Sequence, residues 1–405
     1  MSEFIVQSFH RLIAENDLPY KRYLYKELGS KHRLLGIVGP RGVGKTSMML
    51  QYIKNELYDG GGAFYFSADN AYFAETSLLA FVDELYQSMN IRHVFIDEVH
   101  KYPNWNQELK NIYDSFPSLK VVFSGSSSID LIRGSYDLSR RAKLLQMKGL
   151  SFREYLNIKN QEQFATVTLE DIFQNHQQVI QQYVGLSTIM QQFQQYLLHG
   201  YYPTVFQTPD DVYTELSNII EKTIYEDIAM FYSLKTQNLN HFRRILNFLA
   251  SMPPGKVKTN NIAKHLQIDN KTADYYIEIL QRTGLIQLVY ADAHGNQLLT
   301  KPDKIYLDNT TLLAAQNAYL SQELNIGTLR ELAFLQSLRG AGEMCYFPKQ
   351  GDFMVDHVVV EIGGRNKTWQ QLQNYQGKKY LVKDNFVMGY GDQIQIGRAS
   401  CRERV

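Results

Sequence analysis

Eight residues, GPRGVGKT at 39–46, constrain this 405-residue chain more than any other segment. They fit the pattern G-x-x-x-x-G-K-[ST], and they stand between an apolar run, residues 34–38, and a helical run, residues 46–57. A strand, a glycine turn and a helix in that order gather backbone N–H groups at a helix amino terminus. There a compact, multiply charged phosphate meets both donors and the positive end of the helix dipole. Gly39, Gly42 and Gly44 let the backbone approach such a ligand without side chains in the way. Gly39, Pro40, Arg41, Gly42, Val43, Gly44, Lys45, Thr46 and Ser47 are therefore the expected cradle for ATP. Lys45 is expected to reach the β- and γ-phosphates and the Thr46 hydroxyl to ligate Mg²⁺.

Two more apolar segments end in polar residues. HVFIDEVH (93–100) places Asp97 to hold the magnesium and Glu98 to orient or deprotonate water. An Asp-Glu pair, rather than a lone Asp, favours hydrolysis over binding alone. VVFSGSSS (121–128) is expected to lie between the other two strands and to sense the γ-phosphate through Ser126, with Ser124 and Ser127 close behind. Arg140 and Arg141, in DLSRRAKLL, are candidates for a charge that stabilises the transition state, supplied by the same chain or by a neighbouring subunit. A solvated basic pair is the plain alternative. Short strands at 34–38, 63–68, 94–96 and 121–123 alternate with helical segments, which implies an α/β fold with a mostly parallel sheet covered on both faces. Guanine is disfavoured as the base. D-x-x-G is absent, because the fourth place of the motif that Asp97 would open is His100, and NKTAD (270–274) is one residue too long for N-K-x-D.

Length suggests two to four domains. Charge is balanced, with Lys plus Arg at 42 and Asp plus Glu at 41, so the whole molecule offers no electrostatic case for nucleic acid or membrane. The two cysteines, Cys345 and Cys401, form no CxxC pair, which excludes a disulfide scaffold and a cysteine zinc site. A polar amino terminus and the lack of 18 uninterrupted apolar residues lead to a cytoplasmic reading with no membrane partner. Residues 4–28 have helical spacing, with Phe4, Ile5, Phe9, Leu12 and Ile13 on one face. Residues 150–240 read as helices. Residues 241–308 read as helix, helix (261–266), helix (270–282) and a hairpin opened by Gly284 and turning near 294–296, the winged-helix order. After residue 312 come helices, strands at 351–355 and 357–362, a helix at 368–375 and a strand at 380–382.

With the nucleotide motifs, the segments SGSSS (124–128), GLSFREYL (149–156), YLLHGYYP (196–203), KIYLDN (304–309) and GTLRELAFLQSL (327–338) make the chain resemble prokaryotic AAA-type P-loop ATPases that carry a winged helix and an uncharacterised C-terminal domain. The resemblance implies an N-terminal helical segment (1–28), a P-loop ATPase core (29–150), a helical lid (151–240), a winged helix (241–310) and a small α/β nuclease-like domain (311–395). The last of these is of the PD-(D/E)XK kind. Its carboxylates match Asp352 and Glu361, but the place of its lysine is Gly363, so the resemblance implies a degenerate nuclease site, with Lys367 as a migrated amine and Asp356 as a substitute for Asp352. In the winged helix, Lys271 and Arg282, flanked by Lys256, Lys258 and Lys264, are offset by Asp274 and Glu278. Contact with an unknown protein partner or another domain is thus favoured over DNA, and self-association is possible. Residues 396–405 read as translated sequencing-adapter, which would leave Cys401 without a role and the natural chain continuing past about Gln395.

Overall fold

The apolar runs of the first 148 residues become five short strands, β1 (Leu34–Val38), β2 (Ala63–Ser67), β3 (His93–Asp97), β4 (Lys120–Gly125) and β5 (Ala142–Gln146). All pair in parallel, in the order β2-β3-β4-β1-β5. Every residue of β1 is buried, as expected of a strand covered on both faces. The expected position of residues 121–123 between the other two motif strands holds, because β4 pairs with both β3 and β1. The fifth strand was not evident in the sequence. β5 is an edge strand with a half-exposed pattern, so its sequence, AKLLQ, lacks a continuous apolar run.

Helices α1 (Glu3–Glu15), α2 (Lys45–Tyr52), α3 (Leu78–Ser88) and α4 (Trp105–Ser115) accompany this sheet. In α1 the buried residues Ile5, Phe9 and Ile13 recur every fourth position, which makes a single apolar stripe. The helix expected over 4–28 stops at Glu15. Pro19 disfavours helical geometry at Leu18, and a 3₁₀ turn, Tyr25–Gly29, follows.

The computed structural model describes all residues except 1–2, 59–60, 126–137, 139, 184, 233, 255–256, 293–300, 385–390 and 396–405. They divide into two units, 1–148 and 149–405. The second unit begins with helices, as expected: α5 (Phe152–Asn160), α6 (Leu169–Gln174), α7 (His176–Gln181), α8 (Ile189–His199), α9 (Val212–Lys222) and α10 (Ala229–Tyr232). Ser151 and Glu154 form a capping box that starts α5. Next come α11 (Thr236–Ser251), α12 (Thr259–Leu266), α13 (Asn270–Arg282) and the antiparallel pair β6 (Ile286–Val289) and β7 (Lys304–Leu307). The expected turn at 294–296 lies outside the described residues.

Helices α14 (Thr310–Tyr319) and α15 (Ile326–Gly340) lead to strands β8 (Phe353–Val355), β9 (Val358–Gly363), β10 (Lys379–Lys383) and β11 (Gln393–Gln395), in the order β11-β10-β9-β8. The helix expected at 368–375 is only a 3₁₀ turn, Trp369–Leu372. Lys379 Nζ donates to the carbonyls of Leu372 and Tyr375, at 2.8 and 2.9 Å, and so occupies acceptors that a further helical turn would use. Among the described residues no helix is long and apolar enough to cross a membrane.

Candidate functional site

The glycine turn follows β1 directly, and α2 starts at Lys45. Gly44 adopts φ 95° and ψ 26° as the residue before the helix, a left-handed geometry that a side chain resists. A Cβ at Gly39 would overlap the carbonyl oxygen of Met147, so this position admits no side chain either. Lys45 is 5% exposed, and its Nζ donates to the carbonyls of Gly39 and Pro40, both at 2.9 Å. The ammonium thus lies folded over the turn on neutral acceptors, which phosphate oxygens would outcompete.

A residue that belongs to none of the motifs fixes the turn from behind. Arg22 is 8% exposed, and it donates from Nη1 to the Val43 carbonyl at 2.7 Å and from Nη2 to the Lys148 carbonyl at 2.8 Å. Its signal in the sequence was only a lone arginine between tyrosines and lysines.

Parallel pairing brings the tips of β3 and β4 together beside the turn. Asp97 is 3% exposed. Its Oδ2 accepts from Thr46 Oγ1 at 2.5 Å and from the Tyr65 hydroxyl at 2.8 Å. Its Oδ1 accepts from the Ser124 hydroxyl and from the Glu98 N–H at 3.1 Å. The residues expected to share a metal, Thr46 and Asp97, are therefore in contact across 51 positions of sequence. Their donor set is all oxygen, one hydroxyl and one carboxylate. That suits magnesium, which takes one or two carboxylates and completes its shell with phosphate oxygens and water. Among the described residues no group of three His, Cys, Asp or Glu is arranged to hold a metal.

Glu98 has left-handed backbone geometry, φ 48° and ψ 38°, sparsely populated by residues with a side chain and common at functional positions. Its N–H donates to Ser124 Oγ at 3.0 Å, and its Oε2 lies 3.3 Å from Nε2 of the buried His100. The Glu98 side chain keeps 24% exposure, enough to meet water.

Other candidates fare differently. Ser126 and Ser127 lie outside the described residues, and among the described residues of that segment Ser124 reaches Asp97. Arg141 donates to both oxygens of Asp114, at 3.0 and 3.1 Å, and Arg140 is exposed. Both precede Ala142, which pairs with Leu34 at the start of β1, whereas the turn follows Val38 at its end. Four strand steps, about 13 Å, separate the two ends, so the same chain does not bring these arginines to the turn.

In the second unit Asp352 and Glu361 come together, since Asp352 N donates to the Val360 carbonyl and Ile362 N donates to Asp352 Oδ2 at 2.8 Å. Lys304 Nζ sits 3.6 Å from Asp352 Oδ1 and 2.8 Å from Glu331 Oε2. Lys367 pairs with Glu361, and its stem fills the space where a side chain at Gly363 would start. Burial raises the Asp352 carboxyl above its ordinary value, with Glu331 adding to the effect. Burial, then Asp352, does the same for Glu361. Asp356 is exposed in the β8–β9 turn at φ 48° and does not take the place of Asp352. On α13, Arg282 pairs with Glu278, and Asp274 pairs with Lys301 at 3.0 Å.

Comparison with known families matches residues 31–156 to the AAA domain and residues 190–324 to a domain of unknown function, DUF8612. The latter span crosses the boundaries expected at 240 and 310. No curated protein matches the chain. Similar solved structures include the Hsp104–ADP complex of S. cerevisiae, 15% identical over 68% of this chain and 40% of that one, with a TM-score of 0.32. Another is AMPPCP-bound DnaA from Aquifex aeolicus, 14% identical over 69% of this chain and 89% of that one, with a TM-score of 0.29. The chain therefore spans less than half of the Hsp104 chain. Residues 31–156, similar to the AAA domain, thus lie on a five-stranded parallel sheet whose glycine turn follows β1.

Proposed function

We propose that this chain binds ATP with Mg²⁺ through residues 39–47 and hydrolyses it, using the nucleotide state as a switch. The observation that carries the reading is the clasp between Thr46 and Asp97, at 2.5 Å, beside the glycine turn. The N–H groups of the turn and the start of α2 take the phosphate charge, and Lys45 exchanges its two carbonyl acceptors for phosphate oxygens. Thr46 and Asp97 would hold magnesium, which would supply neutralisation of the charge on the β- and γ-phosphates. Glu98 takes a proton from water as the water oxygen attacks the γ-phosphorus. The bond to the bridging oxygen breaks with its electron pair, leaving ADP and phosphate. The experiment is turnover and binding by two variants. Lys45→Ala is expected to lose ATP binding, and Glu98→Gln to bind ATP without hydrolysing it. Wild-type turnover by Glu98→Gln would remove Glu98 from this role.

For the second unit, α11 to β7 support a winged-helix reading in order and pairing. Its charged residues favour a protein partner over duplex DNA, because Arg282 and Asp274 are engaged in ion pairs with Glu278 and Lys301. A DNA-binding regulator with ATP as a structural ligand would instead show salt-dependent duplex affinity that Lys45→Ala leaves unchanged. The carboxylates Asp352 and Glu361 read as a degenerate nuclease-like site, since Lys304 and Lys367 supply the positive charge that a divalent metal would bring.

A further inference from the structure

We propose that Tyr65 is a positioning residue for the magnesium-bearing carboxylate: its hydroxyl, reaching across from the neighbouring strand, holds Asp97 in the orientation that meets the metal. The inference rests on the ATP and magnesium reading of the glycine turn. Tyr65 lies in β2, outside all three motif segments, and pairs with Phe95, two residues before Asp97 on the same face of β3. That diagonal is within reach of a tyrosine side chain and too long for a serine or threonine. The hydroxyl meets Asp97 Oδ2 at 2.8 Å, and the residue is 5% exposed, so the bond is shielded from water.

An aspartate carboxylate turns readily about its last torsion, because that torsion has broad, roughly two-fold wells. On Oδ1 the turning is resisted by the Ser124 hydroxyl and the Glu98 N–H. On Oδ2 it is resisted by the hydroxyls of Thr46 and Tyr65. Thr46 has a second task, because its own oxygen is the other protein ligand of the metal. Tyr65 has no such task, and its buried hydroxyl donates to Oδ2 from the neighbouring strand. It thus supplies a standing constraint on Oδ2 whether or not metal is present.

Tyr65→Phe removes one oxygen and leaves the packed ring in place. The magnesium concentration that half-saturates ATP turnover is expected to rise about tenfold, in line with loss of a hydrogen bond to a charged acceptor, while kcat at saturating magnesium changes less than about twofold. A readout independent of turnover is Mn²⁺ binding to the protein with AMPPCP, followed by electron paramagnetic resonance, which should weaken by the same factor. Nucleotide affinity without metal should stay at the wild-type value. A lower melting temperature with unchanged metal dependence would make Tyr65 a packing residue and overturn the proposal. Should the wild-type protein itself show no metal-dependent nucleotide binding, the reading of the glycine turn fails first, and this inference goes with it.

Discussion

Replacing Arg22 with methionine tests whether the phosphate turn is braced from behind. The substitution keeps an unbranched stem but deletes two hydrogen bonds from a guanidinium, to the Val43 carbonyl at 2.7 Å and the Lys148 carbonyl at 2.8 Å. Bonds with a charged partner contribute about 1.5–3 kcal/mol each. The lower figure applies, because the Lys148 bond is only partly buried and its carbonyl can recover water. The expected loss is about 3 kcal/mol for the pair. For a unit of this size each kcal/mol shifts the melting temperature by roughly 2–4 °C, so a fall of roughly 6–12 °C follows. Calorimetry of the full chain can isolate the effect, because the transition raised by ATP with magnesium belongs to the unit that carries the turn. ATP affinity should also fall about tenfold, since part of the binding energy must then order the turn. Melting within about 1 °C of wild type, together with unchanged affinity, would show that Arg22 braces nothing.

Gly39→Ala forces a methyl group onto the Met147 carbonyl, and a loss of about 3 kcal/mol with loss of nucleotide binding is expected in melting and binding assays. Cys345 is buried, and its thiol is pushed up to about 12. In a Cys401→Ser background it should react with a thiol reagent at pH 8 about a thousandfold more slowly than an ordinary exposed cysteine. Plasmid incubated with the protein and Mg²⁺ should remain intact, and nicking that disappears in Asp352→Ala would revive the nuclease reading.

The residues that could be read from the sequence were those whose role is local. The glycine turn, Lys45 and the acidic end of β3 depend on neighbours in the chain, so a strand before and a helix after were enough to place them. Arg22 and Tyr65 act on backbone or side chains 21 and 32 positions away, and neither carries a pattern of its own. The edge strand β5 escaped because an exposed strand needs no continuous apolar run. The basic pair at 140 and 141 was a candidate on charge alone, yet strand direction puts it at the opposite end of the sheet from the turn. Gly363 marked the loss of a lysine, and only packing could show that the Lys367 stem enters that space.

The most direct measurement is equilibrium binding of ATP to the purified full chain, with and without Mg²⁺. The account predicts saturable binding that magnesium strengthens and that Lys45→Ala removes. Failure of the wild-type protein to retain any adenine nucleotide in the presence of magnesium would contradict it.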